Sequence, residues 1–411
     1  MSSFTFLHAA DLHLDSPLKG LDPAAPAGRI RGATREALVR MVDFAREQRV
    51  AFVLLAGDLY DGDWKDWHTG QFLVQQLGRL ARDGIEVVAI SGNHDAEQVL
   101  TRKLNLPGLL GADRPHTVHL QRAPVAVHGQ SFDMPAVRHN MALQYPAPVE
   151  GLFNIGLLHT ACGNSAHENY APCTLEDLHR RGYDYWALGH VHTRAELSRA
   201  PWVVFPGNLQ GRHINEEGSR GATLVTVRDN LVQSADHHAL DVLRWKRLAV
   251  DATGAAGVEA VLNRIRPLLE DALLSADGRL LVVRIMLAGD CAAHADLSAS
   301  PDATLQQFRG LAAELAGPEE LWVEHVVATT RPALDMEAMR SQPGPIGTLV
   351  AALDRPLAVD AGLKSFVTDQ LKRANGALPP GHPALAIADG HIPPYLMDQA
   401  RALLLAELGR R

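Results

Sequence analysis

The 411-residue sequence has no long hydrophobic run and only three cysteines. Because no stretch of about 18 apolar residues occurs, we expect no membrane-spanning helix. The N-terminus lacks the cationic start, apolar segment and small-residue cleavage site of a secretory signal. Cys162, Cys173 and Cys291 are odd in number and have no metal-like spacing, which is typical of a reducing compartment. We therefore predict a cytoplasmic protein whose three cysteines are structural thiols.

An excess of positive charge is also missing. The formal net charge at pH 7 is −8, with 39 basic and 47 acidic residues. This balance argues against a protein that coats nucleic acid through bulk electrostatics, so any phosphate binding must be local. The apolar content of 46% and the charged content of 21% are ordinary for a globular chain, and the length favours two or three domains.

The first hundred residues alternate between strand and helix patterns. Apolar runs at 4–10, 52–56 and 85–90 predict buried strands, and apolar residues at helical spacing predict helices at 29–46 and 68–82. This order implies a parallel sheet with covering helices. In such sheets, the loops that leave the carboxyl ends of the strands carry the site.

Further apolar runs predict a second group of strands. They occur in short pieces from 118 to 133, and then at 153–158, 184–188, 202–205 and 222–227. We interpret these strands as the second half of a sandwich.

The remaining sequence predicts two smaller regions. Strand and helix patterns alternate again up to about residue 335, which indicates a small α/β domain without a metal-like cluster. Beyond it, proline and glycine surround apolar patches at helical spacing, and such a helical tail packs on its own domain or binds a partner. The predicted domain boundaries are 1–240, 241–335 and 336–411.

Metal-competent side chains follow five of the predicted strands. Oxygen and imidazole groups without thiolate suit Mn²⁺, Fe²⁺ or Zn²⁺. Two residues apart in an extended segment, Asp11 and His13 can reach the same point. The complete set is Asp11, His13, Asp58, Asn93, His94, His159, His190 and His192.

The size of this set suits two metal ions. If Asp58 bridges, four protein ligands per ion require seven residues, which remain once His94 is set aside. Two ions about 3.5–4 Å apart can clamp the attacking and leaving oxygens of a phosphoryl displacement. His94 can then stabilise developing charge or protonate the leaving oxygen, and we expect Asp95 to hydrogen-bond His94 and fix its tautomer. Both are candidate catalytic residues.

These residues fall in motifs that resemble those of the calcineurin-like metallophosphoesterases. The motifs are Asp11-x-His13, Gly57-Asp58-x-x-Asp61, Gly92-Asn93-His94-Asp95, His159 and Gly189-His190-x-His192. Within that superfamily, 11–17 and 159–221 resemble the bacterial YhaO-type and SbcD-type DNA repair exonuclease subunits. The resemblance covers about 1–240 and, more loosely, the α/β segment that follows.

The resemblance implies a four-layer β-sandwich flanked by helices, a DNA-capping α/β domain, and a Mn²⁺-dependent DNA exonuclease or endonuclease with catalytic His94. The implied partners are DNA and a coiled-coil, SMC-like ATPase of the SbcC/YhaN type, and a homodimer is compatible with it. Carried over by motif, one ion takes Asp11, His13, Asp58 and His192, and the other takes Asp58, Asn93, His159 and His190.

One departure concerns Asp61, where related nucleases often carry histidine. An aspartate donates no proton at neutral pH unless its pKa is raised, so exonuclease polarity is less well defined than phosphodiester hydrolysis. We regard Asp61, Arg212 and His213 as candidate substrate contacts, since arginine offers a bidentate fork to phosphate. The alternatives are a carboxylate behind the metal ligands or a solvated carboxylate for Asp61, and a solvated loop for the other two.

Two other functions stay open at this point. One is a phosphatase or small-molecule phosphodiesterase of the same superfamily, although Gly62-Asp63 stands where protein phosphatases have an arginine. The other is a docking subunit with a vestigial metal site, although none of the expected ligands is missing.

Overall fold

The computed structural model describes residues 3–16, 30, 32–61, 67–96, 106–164 and 168–333, together with positions 341 and 369. The predicted C-terminal helical region, 336–411, therefore lies outside the described residues except at those two positions. The described strands are β1 (Ser3–Ala9), β2 (Phe52–Ala56), β3 (Glu86–Ile90), β4 (His116–His119), β5 (Val125–Gly129), β6 (Phe153–His159), β7 (Tyr185–Gly189), β8 (Ala195–Arg199), β9 (Trp202–Phe205), β10 (Gly221–Arg228), β11 (Leu231–Ala239), β12 (Leu243–Asp251), β13 (Leu280–Cys291) and β14 (Leu321–Pro332). The described helices are α1 (Ala33–Glu47), α2 (His68–Arg82), α3 (Asn93–Ala96), a 3₁₀ turn at Met141–Gln144, α4 (Leu175–His179), α5 (Val258–Ala276), α6 (His294–Ala299) and α7 (Pro301–Leu315).

The first sheet has the strand order β11-β10-β1-β2-β3. As predicted, β1, β2 and β3 are parallel, with Phe6 opposite Phe52 and Phe52 opposite Glu86. Every residue of β2 is apolar and buried, as expected for a strand that is covered on both faces.

The strand predicted at 222–227 lies in this first sheet, and its expected place in the second sheet is wrong. As β10 it pairs antiparallel with β1, placing Phe4 opposite Val227. The parallel strands leave one edge of β1 open, and β10 covers that edge. Strand β11 then extends the sheet by a hairpin.

The second sheet has the order β4-β5-β6-β7-β9-β8. Strands β5, β6, β7 and β9 are parallel, so their carboxyl ends share one edge. His159, the last residue of β6, lies opposite Gly189, the last residue of β7. The two histidine motifs therefore begin side by side.

Apolar residues pack in three layers around these sheets. One cluster joins the first sheet to α1 and α2. A second cluster lies between the sheets, where Phe6 stacks on Phe52 at 4.8 Å and meets Tyr185 edge-on at 5.2 Å between ring centroids. A third cluster packs the outer face of the second sheet, including Trp186, against the 3₁₀ turn and α4. The mixed α/β fold and its four-layer sandwich are thus confirmed.

Strands β12, β13 and β14 form a separate three-stranded sheet in that order. Helix α5 lies between β12 and β13 in sequence, and α6 and α7 between β13 and β14. By contacts the chain divides into two compact units. One comprises 1–247, 269–284 and 312–324, and the other 248–268, 285–311 and the residues from 325 on. Within the part of the chain that the structure describes, no helix is long and apolar enough to cross a membrane.

Candidate metal centre

The carboxyl ends of five strands bring the predicted ligands together. Strands β1, β2 and β3 of the first sheet carry Asp11, His13, Asp58 and Asn93, and strands β6 and β7 of the second sheet carry His159, His190 and His192. All of these residues except His192 are at least nine-tenths buried. The most exposed of them, Asn93, is 8% accessible. His192 is slightly more open, with a side chain that is 15% exposed.

The ligand atoms form overlapping groups. Asp11, His13 and His192 place one ligand atom each within 4.8 Å of one another, and so do Asp58, His159 and His190. Asn93 joins the second group, because its Oδ1 is 3.0 Å from His159 Nε2.

Asp58 lies between the two groups. Its Oδ2 is 3.7 Å from His13 Nε2 and 3.6 Å from His159 Nε2. One carboxylate oxygen therefore faces a histidine of each group, as a bridging ligand would.

Hydrogen bonds behind the histidines show that their facing atoms are acceptors. Nδ1 of His159 donates to the Ala56 carbonyl at 2.9 Å, which leaves the Nε2 lone pair directed at the oxygen of Asn93. Nδ1 of His192 donates to Glu216 at 2.7 Å, so its Nε2 lone pair faces His13 Nε2 at 3.2 Å. Lone pairs of His159 and His192 that face into the site in this way suit a bound cation.

The spacing of these atoms fits a divalent metal. Metal–ligand bonds of about 2.1 Å at angles of 90–120° separate neighbouring ligand atoms by roughly 3.0–3.6 Å. The distances from 3.0 to 3.7 Å around Asp58, His13 and His159 fall near this range. Residues and geometry therefore fit two divalent ions, without indicating which metal.

Electrostatics support the same conclusion. Burial and the neighbouring Asp58 charge raise the pKa of Asp11 well above its usual value. Burial lowers the pKa of His13 and of His159, so neither imidazole readily carries a proton to compensate the carboxylates. Bound cations would supply the missing positive charge.

The backbone is strained at these positions. Asp11, His13, Asp58 and His190 have φ of 52°, 41°, 50° and 97°, in the left-handed region that costs a side-chain-bearing residue about 1–2 kcal/mol. Strain of this kind persists where the surrounding structure holds it, and it accumulates at binding sites.

Gly92 allows the close approach of the first-sheet loops. A Cβ there would lie 2.2 Å from Asp58 Oδ1 and 2.8 Å from His159 Cε1. Only glycine leaves room for the carboxylate that faces both groups.

His94 has a different environment from the ligands. Its side chain is 35% exposed, and its Nδ1 is 3.1 Å from Asp61 Oδ1. The hydrogen bond with Asp61 raises the pKa of His94. His94 also lies within 4.8 Å of ligand atoms on His13 and Asp58, so it is directed into the same site.

The expected hydrogen bond between Asp95 and His94 is wrong. The Asp95 carboxylate is buried and accepts from the backbone amides of Leu59, Tyr60 and Gly92 at 2.9–3.1 Å. Burial, followed by the Asp58 charge, raises the pKa of Asp95 to about 7. Through these hydrogen bonds, Asp95 joins the loop after β2 to the loop after β3.

Asp61, rather than Asp95, contacts the His94 imidazole. Besides His94, its carboxylate accepts from Ser16 and pairs with Arg212 at 3.0 Å. Burial alone would raise the pKa of Asp61, but hydrogen bonds from His94 and Ser16 and the Arg212 charge hold it well below its usual range. The lowered pKa favours the ionised carboxylate form of Asp61 over a proton donor.

Glu216 is a site residue that the sequence did not reveal. Besides His192, it accepts from Asn208 at 2.9 Å and from the Arg212 backbone amide at 2.7 Å. The Arg212 guanidinium lies between Asp61 and Glu216, while His213 Nε2 is 3.6 Å from Glu216. Glu216 sits in a loop without periodicity, and its one signal is that it lies shortly after the candidate substrate contacts Arg212 and His213.

Comparison with known proteins agrees with this geometry. A calcineurin-like phosphoesterase model matches residues 4–194, and a model of the middle domain of metallophosphoesterase YhaO matches 245–331. The metallophosphoesterase YhaO of Bacillus subtilis is 35% identical over 342 residues, covering 79% of this chain and 80% of that protein. The chain belongs to the YhaO family of calcineurin-like metallophosphoesterases. It is accordingly a phosphoesterase-type hydrolase with a divalent-metal site, as predicted.

This YhaO-family chain is also similar, at lower sequence identity, to a protein of DNA repair. The DNA double-strand break repair protein Mre11 of Haloferax volcanii is 29% identical over 252 residues, covering 59% of this chain and 55% of that one. Among solved structures, a dimetal phosphatase from Danio rerio is 13% identical, with 56% of this chain and 94% of that chain covered and a TM-score of 0.36.

Proposed function

We propose that this protein is a DNA nuclease that hydrolyses phosphodiester bonds with two divalent ions. The observation that carries the proposal is the position of Asp58, whose Oδ2 lies 3.7 Å from His13 and 3.6 Å from His159. A carboxylate shared by two ligand groups supports two adjacent ions, which suit an in-line displacement at phosphorus.

The proposed ligands follow the two groups. When bound, the ions polarise the phosphate and lower the pKa of the attacking water. Mn²⁺ is our proposed metal, with Fe²⁺ or Zn²⁺ as alternatives. One ion would be held by Asp11, His13, Asp58 and His192, and the other by Asp58, Asn93, His159 and His190.

His94 is the proposed general acid for the leaving oxygen. Its raised pKa favours the protonated imidazolium, and its exposure leaves it open to a substrate. Asp61 orients it through the Nδ1 contact. Arg212 lies beside both carboxylates and is proposed to contact a substrate phosphate, with His213 next to it.

DNA as the substrate is supported by the relatives. The Haloferax protein is named for DNA double-strand break repair, and its match covers 59% of this chain. We further propose that 241–335 caps DNA and that 336–411 binds a coiled-coil, SMC-like ATPase in the cytoplasm.

The test is release of nucleotides from linear duplex and single-stranded DNA in Mn²⁺, for the wild type, His94→Ala and His119→Ala. His119 is exposed on β4 and serves as the matched histidine control. We expect cleavage by the wild type and the control, and a loss of about 100-fold or more for His94→Ala.

Two results would contradict the proposal. Hydrolysis of a small phosphodiester without cleavage of either DNA would favour a small-molecule phosphodiesterase. A metal content near zero after Mn²⁺ saturation, with no hydrolysis, would favour a docking subunit.

A further inference from the structure

Two of the three cysteines meet beside the metal centre. Cys162 and Cys173 are both free thiols, and the Cys162 thiol is hydrogen-bonded to the Cys173 sulfur. They share Thr160, whose hydroxyl oxygen is 3.3 Å from Cys173 Sγ and accepts from the Cys162 amide at 3.0 Å. Cys162 is half-buried, whereas Cys173 is only 6% exposed. A small oxidant can therefore reach the pair from the Cys162 side.

The segment between the cysteines also holds a proposed metal ligand. It starts just after His159, and the Glu168 carbonyl within it accepts from His190 Nε2 at 2.8 Å. The Tyr170 ring packs on the His190 ring with centroids 5.5 Å apart. This support holds the His190 imidazole in position through Nε2. Movement of the segment would therefore change how His190 is presented.

We propose that Cys162 and Cys173 form a reversible disulfide that weakens metal binding at the site. The inference rests on the metal site of the proposed function and is independent of the nature of the phosphodiester. In a reducing compartment, a disulfide of this kind is transient and regulatory.

The oxidant is a peroxide, and the reaction balances in two steps. The Cys173 thiolate attacks one peroxide oxygen, the O–O bond breaks, and hydroxide leaves, giving a sulfenic acid. The Cys162 sulfur then attacks Cys173 Sγ, so that the S–S bond forms, the S–O bond breaks, and the oxygen leaves with protons as water. Two sulfur-centred electrons reduce one peroxide. The hydrogen bond from Cys162 lowers the pKa of Cys173, which favours its thiolate.

Bond formation must bring the two sulfurs closer together. Hydrogen-bonded sulfurs are well beyond the S–S bond length of about 2.05 Å, so the two residues must approach. Cys162 has φ of 42° and follows directly on the turn at Thr160, which leaves it little freedom to move alone. We expect the segment to shift at Glu168 and Tyr170, and loss of such a supporting contact weakens metal binding about 10- to 100-fold.

The experiment treats the reduced full-length protein with hydrogen peroxide, then maps peptides without reduction and measures Mn²⁺ affinity by calorimetry. We expect a linked peptide pair containing Cys162 and Cys173, Mn²⁺ binding weakened about tenfold or more, and recovery of both after a dithiol reductant. Cys291→Ser is the matched control, since Cys291 is fully buried on β13 and should leave the response unchanged.

Cys162→Ser should bind Mn²⁺ normally and lose the response to peroxide. Cys173→Ala, checked for folding by circular dichroism, should do the same. Absence of the linked pair, or a linked pair with unchanged Mn²⁺ affinity, would overturn the proposal. Failure of the reduced protein to bind Mn²⁺ would instead overturn the metal site itself, and the regulation with it.

Discussion

Asn93 and His94 are neighbours in sequence but face different partners. Asn93 Oδ1 is 3.0 Å from His159 Nε2, while His94 contacts the Asp61 carboxylate. The short helix α3 separates them, because successive side chains on a helix point about 100° apart. In the proposed mechanism, one turn of chain thus provides both a metal ligand and a residue that acts on the substrate.

The first prediction separates these two roles. Asn93→Ala should lower occupancy of one ion, because it removes an oxygen ligand. His94→Ala should retain both ions and lose turnover about 10²- to 10⁴-fold. Metal analysis by mass spectrometry and steady-state rates check this, and equal metal loss in both variants would mean that the assignment is wrong.

The second prediction concerns Asp61. Asp61→Asn should keep both metals and lower turnover about tenfold, because an amide holds the His94 imidazolium less strongly than a carboxylate. Asp236→Asn, an exposed aspartate on β11, is the matched control. Unchanged turnover in Asp61→Asn, measured on a small phosphodiester, would show that Asp61 does not orient His94.

At the residue scale, the sequence predicts the convergence of the candidate ligands better than the hydrogen bonds of the residues behind them. His159 and Asp58 follow apolar strands, so their convergence follows from strand order. The hydrogen bonds of Asp95 and Glu216 depend on loop conformations that no periodicity encodes. For the same reason, the contact between Cys162 and Cys173 could not be inferred from their spacing.

Among the elements, the fully buried strands were predicted most accurately. The run at 52–56 matches β2 at both ends, since a strand covered on both faces is apolar throughout. Strands β8 and β11 were not predicted, because both lie at sheet edges and carry many polar, half-exposed residues. The pairing of β10 with β1 is a long-range choice, and local pattern does not specify it.

A third prediction tests the junction between β3 and α3. Gly92→Ala should reduce binding of both ions, because the new Cβ would lie 2.2 Å from Asp58 Oδ1 and displace the shared carboxylate. Gly310→Ala on α7 is the matched control, since nothing lies within 4 Å of the position of its Cβ. Metal titration of the two variants tests this prediction. Binding of both ions by Gly92→Ala as in the wild type would contradict the bridging role of Asp58.

For the whole molecule, the two-sheet core explains why the fold could be predicted from the sequence. The division into domains stays a prediction. The aromatic residues between the sheets, such as Phe52, come from apolar runs that are plain in the sequence. The predicted boundaries at 240 and 335 rest on a change of pattern alone. The roles that we propose for the last two regions, DNA capping and ATPase binding, are predictions in the same way.

The fourth prediction concerns stability and pH. His8 is fully buried, where Nδ1 contacts Tyr185 and Nε2 contacts the Leu188 carbonyl, and burial lowers its pKa from 6.5 to about 3. As the pH falls, His8 is therefore protonated in the unfolded chain at a higher pH than in the folded protein. His8 should therefore lower the free energy of unfolding by about 1.4 kcal/mol for each pH unit as the pH decreases from 6.5 towards 3. Above pH 6.5 it should have no effect on this free energy.

Urea unfolding at pH 7 and pH 5 checks this prediction. His8→Gln should show a smaller loss of stability between the two pH values than the wild type, and the exposed His119→Gln should match the wild type. An equal loss in His8→Gln would show that other groups account for the acid sensitivity.

The Asp11 carboxylate at the end of β1 accepts the backbone amide of His190 at the end of β7, at 3.0 Å. The two sheets are thus joined at their edge by the same residues that present the ligands, and neither sheet alone has a complete set. An ion bound there would tie the two halves of the sandwich together, and by mass action it would stabilise only the folded chain. The supply of divalent metal in the cell would then govern how long the folded protein survives as well as how fast it works.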